Sequence, residues 1–395
     1  MIPAARVAAA IEVLDLILSG SPAEKALTHW GRAHRFAGSG DRLAIRDHVY
    51  DALRCRRSLA ALGGGETGRG LMLGLVRRDG PDPSGLFTGV GHAPGPITAQ
   101  DTAEAEPPDP VRLDLPDWQY PLFSASLGAH CEAVLRVLQT RAPVFLRVNL
   151  RRVTVAEAIT ALARDGVMAV PHVDVKTALH VTGNARKIHQ SQAYLTGLVE
   201  LQDAASQAAV LRLPLRAGQR VLDYCAGGGG KALALVAVAD VAVTAHDIDS
   251  GRMVDLPLRA ARAGVRIDRV STADLAVRPP FDLVLVDAPC SGSGTWRRTP
   301  DAKWRLTPPD LARLTMLQAA ILRQAATLVA PGGTLAYCTC SVLHAENRAQ
   351  VDAFTANHPF QLQDEMQLLP SDRGDGFYLS VLQRTRKQPS VAIQP

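Results

Sequence analysis

Two short motifs carry the chain's most reactive side chains: Asp287-Ala288-Pro289-Cys290 and, about fifty residues on, Thr339-Cys340-Ser341. Each follows an apolar run that reads as a buried strand, Phe281 to Val286 and Gly333 to Cys338. A third strand-to-loop element lies upstream, Val221-Leu222-Asp223-Tyr224-Cys225-Ala226-Gly227-Gly228-Gly229-Gly230-Lys231. A glycine loop able to hold a cofactor, with two strand-end thiols on one sheet, points to chemistry in which sulfur attacks an electron-poor ring. The attacking species must be thiolate, and an ordinary thiol, with a pKa of about 8.5, is only slightly ionised at neutral pH. Cys340 precedes a helix expected near Ala345, whose amide dipoles would lower that value. Cys338 reads as packing.

These motifs need a sheet to position them. From Gln219 onward the pattern alternates, with strands expected at Arg220–Tyr224, Val241–His246, Ile267–Val270, Phe281–Asp287, Thr334–Thr339 and Phe377–Leu382. Helices are expected between them, at Lys231–Val238, Gly251–Ala263, Pro309–Leu328 and Ala345–Asn357. That order argues for a mostly parallel sheet covered on both faces, with ligands bound beyond the carboxyl ends of the strands. The glycine loop is not a P-loop: the first glycine of that motif is Cys225 here, and Ala232 replaces the magnesium-binding hydroxyl. A dinucleotide fold stays open, since Asp247 follows the second strand. S-adenosylmethionine suits the same geometry. Asp247, Asp274 and Asp287 follow the second, third and fourth strands. One such carboxylate is ordinarily just solvated; three at successive strand ends argue for a site.

The rest of the chain sets bounds. At 395 residues two or three domains are expected, and net charge +5 is a mild basic bias. The excess concentrates between His130 and Gln190: nine Arg or Lys (Arg136, Arg141, Arg147, Arg151, Arg152, Arg164, Lys176, Arg186, Lys187) face four acids. Such a stripe attracts a phosphate backbone, and Arg151 and Arg152 are its expected contacts. Six cysteines without disulfide or C-x-x-C spacing predict reduced thiols, no metal and a cytoplasmic protein. The first 18 residues read as an amphipathic helix and not as a signal peptide, and no apolar run is long enough to span a membrane. Residues 1–110 are expected to form an all-helical domain, with Asp41 as a helix N-cap. It ends in an irregular connection holding seven prolines and five glycines between Asp79 and Pro110. Residues 111–205 are expected as a small α+β subdomain and 206–395 as the α/β catalytic domain.

The motifs together resemble the RNA cytosine-carbon-5 methyltransferases of the NOL/NOP2/Sun group, and within it the bacterial 16S rRNA methyltransferase B (Fmu/Sun) type. The resemblance rests on 223–231, Asp287-Ala288-Pro289-Cys290-Ser291-Gly292, the Arg-Arg-x-Pro-Asp-x-Lys-Trp run at 297–304, Thr339-Cys340-Ser341, Glu346-Asn347 and Gly374-Asp375-Gly376-Phe377. It covers about 145–383 well and the N-terminus more weakly. It implies a Rossmann-like methyltransferase sheet, a small RRM-like α+β subdomain and an N-terminal NusB-like RNA-binding domain. It also implies that Cys225, Ala226, Gly227, Gly228, Gly229, Gly230, Lys231, Asp247, Asp274 and Asp287 bind S-adenosylmethionine. Arg252 matches an arginine that some members use as well. Cys340 would be the nucleophile and Cys290 would aid release. The partner would be rRNA, free or within a small-subunit assembly intermediate, and the protein a monomer. The alternatives are another RNA such as tRNA, or a non-catalytic ribosome-assembly factor. Three positions depart from the family pattern: Gly228 stands where proline is usual, Ala232 where threonine is, and Ala273 where glycine is.

Overall fold

The computed structural model describes residues 1–80, 82–103 and 107–385. Pro81 and residues 104–106 of the expected connection, and 386–395 of the expected catalytic domain, lie outside the described residues. The chain divides into two compact units: Met1–Arg141 with Trp296–Leu306, and Ala142–Thr295 with Thr307 onward. Residues 111–141, grouped by sequence with the small α+β subdomain, therefore lie in the first unit.

The first unit is helical. Pro3–Leu18, Ala23–Ala33, Ser39–Arg54, Arg56–Gly63 and Gly68–Asp79 bury Val13, Leu14, Ile45, Val49, Leu53, Leu59 and Leu71 in one core. Gly38, not Asp41, occupies the N-cap of the third helix. Asp41 sits three residues in, where its carboxylate accepts from the Gly38 amide (3.3 Å) and the Arg6 guanidinium (2.8 Å). The Pro/Gly-rich stretch is irregular but does pack. Phe87 is buried in the helical core, and Arg69 binds the carbonyls of Gly95 and Pro96 and the Asp101 carboxylate.

The segment Trp296–Leu306 completes this unit. Arg54 Nε donates to the Arg297 carbonyl (2.7 Å), Trp304 Nε1 to the Leu53 carbonyl (2.7 Å) and Lys303 Nζ to the Arg54 carbonyl (3.1 Å). Burial lowers the Lys303 pKa to about 8, against the opposing pull of the Asp114 carboxylate. The Arg-Arg-x-Pro-Asp-x-Lys-Trp run is thus, in this unit, a set of ties to the end of the third helix.

The second unit holds both sheets. Strands β1 (Val144–Val148), β2 (Met168–Pro171), β3 (Ala178–Gly183) and β4 (Val199–Leu201) form a small antiparallel sheet in the order β2-β3-β1-β4. Seven further strands complete the fold: β5 (Arg220–Asp223), β6 (Ala242–Ala245), β7 (Asp268–Arg269), β8 (Phe281–Asp287), β9 (Val329–Thr339), β10 (Phe360–Leu368) and β11 (Phe377–Arg384). Their order is β10-β11-β9-β8-β5-β6-β7; β5 to β9 pair in parallel, while β10 and β11 are antiparallel.

Period-2 alternation gives this sheet two buried faces. Val221, Leu283, Leu285, Ala336 and Leu379 pack against the helices Ala204–Leu211, Gly230–Val238 and Leu256–Ala263. Leu222, Val284, Val286, Leu335 and Tyr337 pack against Pro308–Thr327 and Arg348–Thr355. The long helix starts where the sequence orders it: Thr307 and Asp310 cap each other's backbone and Pro308 takes the first turn. The helix expected at Gly251–Ala263 breaks before Pro257, into a 3-10 turn (Ser250–Met253) and Leu256–Ala263. The one expected at Ala345–Asn357 splits similarly, into His344–Glu346 and Arg348–Thr355.

Part of the basic stripe makes structural hydrogen bonds, and one of its members is buried. Arg147 is buried, its guanidinium bound to Gln202 Oε1 and the Gly230 carbonyl, and desolvation lowers its pKa to about 10. Arg151 donates to the Val236 carbonyl, and Arg152 to those of Thr196 and Arg262. These three tie the small sheet to the helices of the large one. Gly197 is needed at the same junction, because a Cβ there would lie 2.0 Å from the Arg262 carbonyl oxygen. Arg151 and Arg152 remain exposed while making these bonds, as do Arg164, Lys176, Arg186 and Lys187 in this unit.

Candidate active site

The chain runs outward from β5 through β6 to β7 and then returns to β8 beside β5. Ligands of open α/β sheets bind at that reversal, outside the carboxyl ends. The glycine loop leaves β5 there. Gly227 (φ +51°) and Gly229 (φ +79°) take left-handed conformations, and a Cβ on Gly229 would lie 2.2 Å from Leu256. Gly228, where the family pattern has proline, is exposed, and its carbonyl accepts from Arg259. Asp247, beyond β6, is buried and accepts from the Gly227 amide (2.9 Å) and the Asp249 amide (3.0 Å), with Arg252 3.2 Å away.

Lys231 links this loop to β8. Its ammonium lies 2.5 Å from Asp287 Oδ2 and 4.8 Å from the centre of the Phe377 ring. Burial is the largest single influence and would depress the lysine pKa, but Asp287, Cys338 and Asp223 together outweigh it and raise the value. Beneath lies Asp223, fully buried, with no side-chain donor on either oxygen. Desolvation and the like charge of Asp287 push its carboxyl up to about 7, opposed by Lys231 and the Ala232 amide. Between about pH 4 and 7 the folded state therefore keeps a proton that the unfolded chain has released, so stability falls as pH rises through that window. Asp223→Asn is expected to flatten this slope. At pH 8 it should add stability, with a ceiling on the order of 4 kcal/mol at 1.36 kcal/mol per pKa unit. Urea unfolding of both proteins across pH 4–8 checks this; parallel profiles would show that Asp223 does not titrate there.

Among the described residues, Asp274 makes no hydrogen bond or ion pair with these groups. It sits exposed in the first turn of the short helix Thr272–Ala276, accepting from Ser271 Oγ at 2.7 Å. That helix is moored to the β6 end through His246, whose ring meets the Tyr224 carbonyl (2.8 Å) and Thr272 Oγ1 (2.9 Å).

The two thiol motifs meet because β8 and β9 are neighbours in register. Asp287 pairs with Cys338, so Cys290 and Cys340 come just after adjacent strand ends. Their Sγ atoms are 3.4 Å apart, both partly exposed, with Thr295 Oγ1 4.0 Å from Cys340 Sγ. The two thiols share a hydrogen bond in which either sulfur can be the donor. That bond holds Cys340 below the ordinary thiol value despite burial and Asp287, with Lys231 and Thr295 adding to it. The same bond, burial and the nearby Glu346 push Cys290 well above it. Cys55, Cys131, Cys225 and Cys338 are all raised, chiefly by desolvation. Of the six thiols, Cys340 alone is shifted toward ionisation. The cause differs from the helix dipole expected: the element after Cys340 is a three-residue 3-10 turn, His344–Glu346, and the stabilising groups are side chains.

Comparison with known proteins agrees with this layout. The family model for the 16S rRNA methyltransferase RsmB/F matches residues 210–383, and that for the RsmF/B-like ferredoxin-like domain matches 115–188. Ribosomal RNA small subunit methyltransferase B of Vibrio cholerae serotype O1 is 34% identical over 299 residues, which cover 71% of this chain and 68% of that protein. The chain belongs to the RsmB/F family. The protein of the same name from Salmonella typhi is 34% identical over 282 residues, spanning 68% of this chain and 66% of its own length. About a third of each relative's length therefore lies outside the alignment. The solved structure of PH0851 shares the fold, with a TM-score of 0.75 at 23% identity over 97% of this chain and 99% of its own.

Like the RsmB/F family, this chain is an S-adenosylmethionine-dependent rRNA methyltransferase. Its residues fit that cofactor: the glycine turn permits close backbone approach, and the buried acids offer acceptors for an ammonium and for ribose hydroxyls. Two site groups escaped the sequence reading. Asp223 was legible only as part of the glycine motif, although an acid ending a central strand is itself a signal. Glu346 stood out only as a motif match, yet it is fully buried between the two thiol loops.

Proposed function

We propose that this chain methylates carbon 5 of a cytosine in 16S rRNA, with Cys340 as nucleophile and Cys290 as the residue that aids release. The observation that carries the reading is the thiol pair: two sulfurs from adjacent strand ends 3.4 Å apart, with Cys340 shifted toward ionisation by the contact. Addition of the Cys340 sulfur to cytosine carbon 6 breaks the 5,6 double bond and makes carbon 5 electron-rich. S-adenosylmethionine would supply an electrophilic methyl group for that carbon, its sulfonium becoming a neutral thioether leaving group. Transfer of the carbon-5 proton to a base then restores the double bond and expels the Cys340 sulfur as thiolate. Cys290 is the neighbouring group that assists this last step.

Residues Cys225 to Lys231 would line the methionine end of the cofactor. Asp247 would take the ribose, and Asp274 and Asp287 would complete the site. Asp287, fixed by Lys231, would also face the amidine edge of the cytosine. The helical unit and the small sheet would position RNA, with exposed Arg164, Lys176, Arg186 and Lys187 meeting phosphates. Reduced catalytic thiols suit a cytoplasmic enzyme, and we read it as a monomer acting on rRNA or an assembling small subunit. Among the described residues no helix is long and apolar enough to cross a membrane. Mapping 5-methylcytosine in 16S rRNA from cells with and without the protein tests the reading. Loss of methylation at a defined 16S cytosine is expected; an unchanged 16S map, or loss confined to tRNA, overturns it.

A further inference from the structure

Glu346 lies six residues beyond Cys340, fully buried in the turn His344–Glu346. Its Oε1 accepts from the Ser291 amide (2.8 Å) and Gln318 Nε2 (3.1 Å). Its Oε2 accepts from the hydroxyls of Ser291 and Ser341, each at 2.5 Å. Ser291 directly follows Cys290 and Ser341 directly follows Cys340. Ser293 Oγ adds a further tie to Ser341 Oγ (2.8 Å), and Gln318 Nε2 also holds the Pro289 carbonyl (3.0 Å). No cation is among these donors. A charge buried this way is costly unless every oxygen is satisfied, and stability alone would be served as well by apolar packing. What the carboxylate supplies instead is a four-donor junction between two loops far apart in sequence, beside the bonds from the Val342 amide to Ser293 Oγ and from the Gly294 amide to the Cys340 carbonyl.

We propose that Glu346 is a positioning residue for the two thiols: by gathering Ser291 and Ser341 it fixes the spacing of Cys290 and Cys340 and assigns their shared proton to Cys290. The inference rests on the reading of Cys340 as the nucleophile. Geometry provides the first half. Electrostatics provides the second, because a negative charge beside Cys290 disfavours its thiolate and leaves the neighbouring sulfur to carry the charge.

The test is site-resolved alkylation of the cofactor-free, full-length protein by iodoacetamide between pH 6 and 9, read by mass spectrometry. Wild-type protein is expected to react at Cys340 in preference to Cys290. In Glu346→Gln, which keeps the shape and lets the serine hydroxyls turn to accept, that preference should shrink about tenfold, one unit of differential ionisation. Turnover should fall in kcat, with KM for RNA unchanged. A folded Glu346→Gln protein with the wild-type alkylation preference overturns the proposal. Should that variant fail to fold, Ser291→Ala and Ser341→Ala each cut one tie and keep the acid. Both must then weaken the preference, and an unaltered preference in both overturns the proposal equally. Failure of the underlying reading looks different: methyl transfer would survive in Cys340→Ala whatever the alkylation pattern.

Discussion

Cys340→Ala is expected to abolish methyl transfer to a 16S rRNA fragment, by at least about 10⁴-fold, or about 5.5 kcal/mol of barrier. The argument is chemical before it is structural. Carbon 5 of cytosine is a poor nucleophile, and only addition at carbon 6 makes it reactive. Among six thiols, Cys340 alone combines partial exposure with a lowered pKa. Alanine there removes one sulfur from a partly exposed position, so the sheet and the glycine loop should persist. Single-turnover transfer from labelled S-adenosylmethionine measures the effect, with circular dichroism and cofactor binding as controls. Retained transfer by a folded variant would remove Cys340 from the role of nucleophile.

Cys290→Ala has a different expected signature. If Cys290 aids the final elimination, its loss should let addition and methylation proceed and then stall. A protein–RNA adduct stable to denaturing electrophoresis should accumulate, dependent on S-adenosylmethionine and absent from the Cys290→Ala/Cys340→Ala double variant. The geometry makes a second contribution visible. Without Cys290, Cys340 loses the hydrogen bond that chiefly lowers its pKa, so adduct formation should shift to higher pH. A Cys290→Ala protein that turns over at the wild-type rate without an adduct would show that release needs no second thiol.

How much of this was legible in the sequence depends on how local the signal is. β5, β8, β9 and β11 were placed within a few residues, apart from the irregular start of β9, because buried strands of branched and aromatic residues leave a local pattern. β10, Phe360–Leu368, was missed. It is an edge strand carrying Gln361, Gln363, Asp364, Glu365 and Gln367, and its polar composition hides the alternation. An acid near a helix start stabilises it from several positions, so the sequence alone does not separate the N-cap from the first turn, where Asp41 sits. Arg147, Arg151 and Arg152 show the harder limit. A positive side chain reads as a surface charge, yet Arg147 is buried, and all three donate to backbone carbonyls 44 to 110 residues away in sequence. The meeting of Cys290 and Cys340 was implied by parallel neighbours, whereas the carboxylate joining Ser291 to Ser341 had no local signature at all.

The helical unit is discontinuous: residues up to Arg141 need Trp296–Leu306 to fill their last hydrogen bonds. During synthesis the nascent helices must therefore wait for some 165 further residues to emerge, roughly ten to thirty seconds of translation. Until then the Leu53 and Arg54 carbonyls are without their Trp304 and Lys303 donors. A gene fragment stopping near residue 141 should accordingly yield an incomplete product, prone to chaperone capture, and not a freestanding module.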